Sequence, residues 1–205
     1  MDPRLPPYHL YRDALSRLHH TLAGLRALQP ALRAVIADLQ IPLQEGGNVP
    51  AAWRGAVLDM AIRRGLLKTQ RQRLRTAPDH IDALVLAASQ QARFRLMNVR
   101  TVIPEVGVTV VDGLRGHSLD LIDAGLARSA RPGVTLAGWV LVLPELTMST
   151  GGLVVVSPAG LDAVAASLKA GRLPSDPSKV RSQTTSAEMR MATEILRSLS
   201  TNSRM

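Results

Sequence analysis

The chain has 205 residues, 46% of them apolar, with 25 basic against 16 acidic side chains and a formal charge of +9. That length and apolar content suffice for a buried core and argue against wholesale disorder. Cysteine is absent, which excludes disulfide frameworks, thiol nucleophiles and cysteine-bound zinc.

The positive charge is carried by arginine, 22 residues against three lysines, and it is unevenly spread. Residues 1–76 hold a net of +7, residues 77–157 a net of −1 and residues 158–205 a net of +3. Aromatic rings are few: Tyr8, Tyr11, Trp53, Phe94 and Trp139. Five dispersed rings make a poor platform for stacking single-stranded bases. The longest apolar stretch, Val134 to Leu143, is about half of what a spanning helix requires. The first residues, Met1-Asp2-Pro3-Arg4-Leu5-Pro6-Pro7, lack the charged-then-apolar layout of a signal peptide, so a cytoplasmic protein is expected.

The first part predicts helices. Tyr11, Leu15, Leu18, Leu22 and Leu25 recur at spacings of 4, 3, 4 and 3, and the stripe resumes from Leu28 through Leu32, Val35 and Leu39. Pro30 can open a new helical turn or kink a continuous helix. The stripe reads either as core of its own domain or as an oligomer seam through Leu15, Leu18, Leu22 and Leu25, since four-three spacing is the heptad pattern. A second helical block starts near Pro50 and carries Val57, Leu58, Ala61 and Ile62. Asp79 is placed to cap a third helix through Ile81, Leu84, Val85 and Ala88.

From Phe94 the period changes to alternation. Phe94–Ile103, Val108–Asp112, Ser118–Asp123 and Val134–Leu143 read as strands, with a loop over 124–131 and turns at Pro104–Gly107, Gly113–Gly116 and Pro132-Gly133. Val134–Leu143 is apolar on both faces, as in a strand covered on both sides. Leu146–Thr150, Gly151-Gly152 and Leu153–Val156 read as a last hairpin. The expected result is a five-stranded small β-barrel-like module over 92–157. It follows an N-terminal helical domain over 1–91, so the fold class is α+β. Over 158–205, Ser157 and Pro158 start a C-terminal helix, residues 172–186 read as a flexible linker, and Met189, Ala192, Ile195, Leu196 and Leu199 suit a terminal amphipathic helix.

The stretch Val110-Val111-Asp112-Gly113-Leu114-Arg115-Gly116, with Leu121-Ile122-Asp123, Arg128-Ser129-Ala130, Pro132-Gly133 and Leu136-Ala137-Gly138, resembles a small β module of uncharacterised bacterial proteins. The resemblance covers Phe94 to Ser157 and rests mostly on turn residues. It implies a fold and no activity. Some of those proteins carry a zinc motif of the SEC-C type; here cysteine is lacking and Trp139 stands where arginine is usual, so no metal role follows.

Phosphate-loop, zincin and nucleophile-elbow motifs are missing from the sequence, and neither cofactor nor metal is implied. Gly151-Gly152 reads as a turn rather than a phosphate cradle. Asp112, His117, Asp120 and Asp123 form the one cluster that could place a general base or hold a divalent ion. The plainer reading has Asp112 opening a turn and Asp120 and Asp123 on a strand's wet face, and alternation puts Asp120 opposite Leu119 and Leu121. His19-His20 point about 100° apart on a helix, which disfavours one metal taking both. The strongest signal outside the core is basic: Arg54, Arg63, Arg64, Lys68, Arg71, Arg73 and Arg75 against Asp59 alone. Arg64, Lys68, Arg71 and Arg75 share a helical face, where like charges repel unless anions offset them. Arg63, Arg64, Lys68, Arg71, Arg73 and Arg75 are therefore the candidate contacts to a nucleic-acid backbone. The competing readings are a solvated face, an acidic protein partner, and an adaptor or homo-oligomer built on the leucine stripe.

Overall fold

The structure is a computed structural model and describes residues 3–24, 26, 28–66, 79–170 and 184–202. The leucine stripe folds as α1 (Leu5–Ala23) and α2 (Leu28–Leu39), with Pro30 in the first turn of α2, where a backbone N–H is not needed. After a 3-10 turn at Glu45–Gly47, α3 (Ala51–Ala61) begins behind Pro50 and runs into a π-helical turn at Ile62–Leu66. Asp79 caps α4 (His80–Gln91), its Oδ1 accepting the Ile81 N–H at 3.2 Å.

The strands are β1 (Arg93–Ile103), β2 (Gly107–Asp112), β3 (Ser118–Ile122), β4 (Thr135–Val142), β5 (Thr147–Ser149) and β6 (Val154–Val156). They form an antiparallel sheet ordered β3-β2-β1-β4-β5, curled as a half-barrel so that β3 returns close to β5. The α+β class holds, with helices before the sheet and a C-terminal helix after it.

The last hairpin expected from the sequence does not form. β5 and β6 both lie antiparallel on one edge of β4, with Val140 opposite Ser149 and Ala137 opposite Val154. They are one strand interrupted at 150–153. The interruption follows from α3, whose backbone passes so close that a Cβ on Gly152 would meet Gly55 O at 2.7 Å, and one on Gly55 would meet Gly152 Cα at 3.0 Å. Two facing glycines let helix and strand backbones touch, and the bulge carries the strand past the helix.

The segment expected as a loop after β3 is also helical, as α5 (Ala124–Ser129), because Asp123 caps it by accepting the Leu126 N–H at 3.0 Å. α6 (Pro158–Lys169) starts as expected, with Ser157 Oγ accepting the Gly160 N–H at 3.1 Å. α7 (Thr184–Asn202) follows. The proposed linker over 172–186 lies outside the described residues up to 183.

Each face of the sheet is covered. Met97, Val99, Val108, Val110, Leu121, Leu136 and Val140 pack together on one face. The other meets helices: Ile122, Leu141 and Met148 pack on Tyr11, Leu15 and Val85 of α1 and α4. Phe94 and Trp139 pack on Leu22, Leu39 and Met60 and on Ile195 and Leu199 of α7. β4 is buried from Thr135 to Leu141, matching the two-sided apolar pattern. The terminal helix docks through Met191, Ala192, Ile195, Leu196 and Leu199, and burying each large apolar side chain contributes about 1.5–3 kcal/mol. This core runs unbroken across both boundaries drawn from composition.

Candidate functional site

The carboxylate–histidine cluster is taken apart by the fold. Asp112 is fully buried on the β2 face that packs Val108 and Val110, where Arg95 Nη1 donates to its Oδ2 at 2.7 Å and Arg115 Nη1 at 3.2 Å. It also opens the expected turn, its Oδ1 accepting the Leu114 N–H at 2.9 Å. Asp120, opposite Thr109, lies on the other face; it accepts from Thr109 Oγ1 at 2.8 Å and pairs with Arg4 at 2.9 Å. Asp123 corrects the wet-face expectation, because it is buried as a helix cap and accepts from Arg12 Nη2 at 2.8 Å and Ser149 Oγ at 2.7 Å. His117 is exposed. Among the described residues, His, Asp and Glu gather nowhere in a group that could hold a metal ion.

Of the basic run, only Arg54, Arg63 and Arg64 lie among the described residues. Lys68, Arg71, Arg73 and Arg75 lie outside the described residues. Arg63 turns inward: its Nε donates to Asp59 Oδ1 at 3.1 Å, its Nη1 to Ser89 O at 2.8 Å, and its guanidinium lies 4.4 Å above the Trp139 ring. Asp59 is buried too and accepts a 2.6 Å bond from Thr150 Oγ1 on the interrupted strand. Arg63 is thus engaged inside the fold and does not line a solvent-facing basic surface with its neighbours. Arg64 pairs with Asp38 of α2 and lies 3.4 Å from Thr193 Oγ1 of α7.

The leucine seam is likewise placed. Leu15 and Leu22 are buried within the chain, and Leu18 is partly buried against the same packing. Leu25 lies outside the described residues. The described part of the stripe is core.

Further ionisable residues have structural roles, and one of them, Glu188, was not singled out from the sequence. Glu188 of α7 is buried; it accepts the Phe94 N–H at 2.8 Å and pairs with Arg93 at 3.0 Å, while Arg115 stands 3.8 Å away. Tyr11 donates its hydroxyl to Glu145, and burial, helped by that carboxylate, raises the phenol to about 12. Burial lowers the pKa of His19 below its ordinary value; Asp59 opposes the shift, while Arg63 and Arg12 add to it. The Asp59–Arg63 spacing of four residues was the one available sign of an internal pair. Nothing local in the sequence marks Glu188.

Two surface features remain. A groove of about 440 Å³ follows the gap between β3 and β5 and is lined by Arg4, Ser118, Asp120, Glu145, Leu146 and Thr147. Its charges are already engaged in the Arg4–Asp120 and Tyr11–Glu145 pairs. The second is a set of exposed arginines. Arg26, Arg33, Arg54, Arg100, Arg128, Arg131 and Arg190 are exposed and have no acidic partner among the described residues. By contrast, all five aromatic residues are buried, the most exposed being Trp53 at 7%.

No family model, curated protein or solved structure matches this chain.

Proposed function

We propose that the protein is a non-enzymatic binding protein that engages the phosphate backbone of double-stranded nucleic acid. The observation that carries this reading is the sorting of charge. Four buried carboxylates, Asp59, Asp112, Asp123 and Glu188, are paired with arginines, while seven exposed arginines have no acidic partner among the described residues, against six exposed acids, Asp13, Glu45, Asp79, Glu105, Glu145 and Asp162, with no basic one. With a formal charge of +9 over the whole chain, the protein attracts polyanions over several ångströms of water. Burial of every aromatic ring argues for backbone contact rather than base stacking, and so for a duplex over a single strand. The segment with Lys68, Arg71, Arg73 and Arg75 adds four cations to the same balance.

Fluorescence anisotropy with labelled duplex and single-stranded oligonucleotides tests the reading. Duplex binding is expected to weaken steeply between about 50 and 200 mM salt, with four phosphate contacts from that segment giving a log–log slope near −3.6. Replacement of Lys68, Arg71, Arg73 and Arg75 by glutamate is expected to flatten it. Absence of binding at the lower salt by a folded protein refutes the proposal, as does a salt-insensitive preference for single strands.

A further inference from the structure

We infer that the sheet carries a second contact surface for the duplex backbone, formed by Arg100, Arg128 and Arg131; the inference rests on the proposed duplex-binding function. These arginines come from three segments that the fold fastens together. Arg100 sits at an irregularity of β1, where Val99 pairs with Val110 but Thr101 pairs with Thr109, so one residue on β1 has no counterpart on β2. A bulge of this kind re-aims the side chain it frees. Arg131 opens the turn Arg131-Pro132-Gly133-Val134, closed by the Val134 N–H donating to Arg131 O at 3.2 Å. Gly133 takes φ +87° there, so proline followed by a left-handed glycine gives a tight turn of type II form. Arg128 lies in the last turn of α5, three residues earlier, so its Cα is at most about 10 Å from that of Arg131 by chain length.

The turn is clipped to the irregular point of β1. The Gly133 N–H donates to Val99 O and the Val99 N–H to Val134 O, each at 2.8 Å, and Asn98 Nδ2 donates to Gly133 O at 3.2 Å. α5 is held in turn by its Asp123 cap and by Leu126 and Ala130, which pack on the β2 face. All three arginines are exposed and have no acidic partner among the described residues. Of the acids nearest in sequence, Glu105 lies beyond the Ile103 end of β1 and pairs with none of the three, and Asp123 is engaged by Arg12 and Ser149. The surroundings of the turn are open, with nothing within 4 Å of where a Cβ on Gly133 would stand. Three guanidinium groups on hydrogen-bonded backbone meet a regular line of phosphates with little ordering cost, and each forms paired N–H donors to phosphate oxygens.

The test compares wild type, Arg100→Glu/Arg128→Glu/Arg131→Glu, its glutamine counterpart, and the Lys68/Arg71/Arg73/Arg75→Glu variant. Each is titrated with the same labelled DNA duplex and an RNA duplex of equal length over a salt series. If all three arginines contact phosphate, the sheet variant loses about 2.7 from the slope, so its deficit against wild type is about 40-fold greater at 50 mM than at 200 mM salt. The glutamine variant keeps the side-chain size and supplies the comparison should the glutamate variant fail to fold. Wild-type slope and affinity in a folded sheet variant, with binding lost in the segment variant, overturn this inference and leave duplex binding standing. Failure of wild type to bind either duplex overturns duplex binding itself, and the sheet surface with it.

Discussion

Arg63→Met separates a structural arginine from a ligand-binding one. The substitution keeps most of the aliphatic volume and removes the charge, leaving Asp59 buried with only Thr150 as donor. Removing one partner of a buried pair costs about 3–5 kcal/mol, because the other charge is left uncompensated. The lost face contact with Trp139 lies within that range and does not add to it. For a chain of this size each kcal/mol lowers the melting temperature by about 2–4 °C, so the expected drop is about 6–20 °C. Urea unfolding followed by tryptophan emission gives the free energy directly, since the Trp139 ring lies under the guanidinium. The double variant Asp59→Leu/Arg63→Met replaces both charges by apolar groups and is expected within about 1 kcal/mol of wild type. A loss below about 1 kcal/mol in Arg63→Met would refute the reasoning, since it would mean a solvated guanidinium. In that event the variant should instead lower the salt slope of duplex binding by about 0.9.

Three further outcomes are expected. Gly152→Ala places a methyl 2.7 Å from Gly55 O and 3.0 Å from Ala56 N, both backbone atoms, and should cost about 1–3 kcal/mol in chemical denaturation, while Gly55→Ser should fail in the same way. His19 has its pKa lowered below 6.5 by burial, so the unfolded chain binds the proton more tightly than the folded one. Stability contributed at that site is therefore lost as pH falls below 6.5, and His19→Asn should flatten the difference between urea midpoints at neutral and mildly acidic pH. Tyr11, raised to about 12, contributes stability that is present below 10.0 and lost as pH rises through that interval. Phenolate absorbance should show one tyrosine ionising late in the folded protein, and Tyr11→Phe should remove that step.

Much of the framework was readable because local chemistry specified it. Tyr11, Leu15 and Leu22 keep helical spacing and are buried on one side of α1; Asp79 and Ser157 cap the helices they precede; Pro132-Gly133 makes a turn. β4 announces two-sided burial by having apolar residues on both parities. What escaped was set by contacts distant in sequence. Gly151-Gly152 looks the same whether it turns a hairpin or makes room for a helix, and only Gly55, about a hundred residues earlier, decides. Asp123 reads as a surface residue at the end of a strand, yet it caps α5 and meets Arg12 from the first helix. Arg63 left the basic run because it follows Asp59 by one helical turn, and a buried carboxylate claims the arginine before solvent does.

The buried carboxylates give charge a structural use that is distinct from ligand binding. Asp59 ties α3 to the interrupted strand through Thr150, Asp123 ties α1 to β5 through Arg12 and Ser149, and Glu188 ties α7 to the start of β1. Each joins elements far apart in sequence, and each demands a cation, since an unpaired buried carboxylate would be strongly destabilising. The fold thus uses these acids as junctions, each matched by at least one arginine. Removing a junction such as Glu188 would make the surface no less basic, but would release Arg93 and the Phe94 N–H and weaken the docking of α7. Loss of stability without loss of salt-dependent binding in Glu188→Gln would show that the two roles of charge are separate.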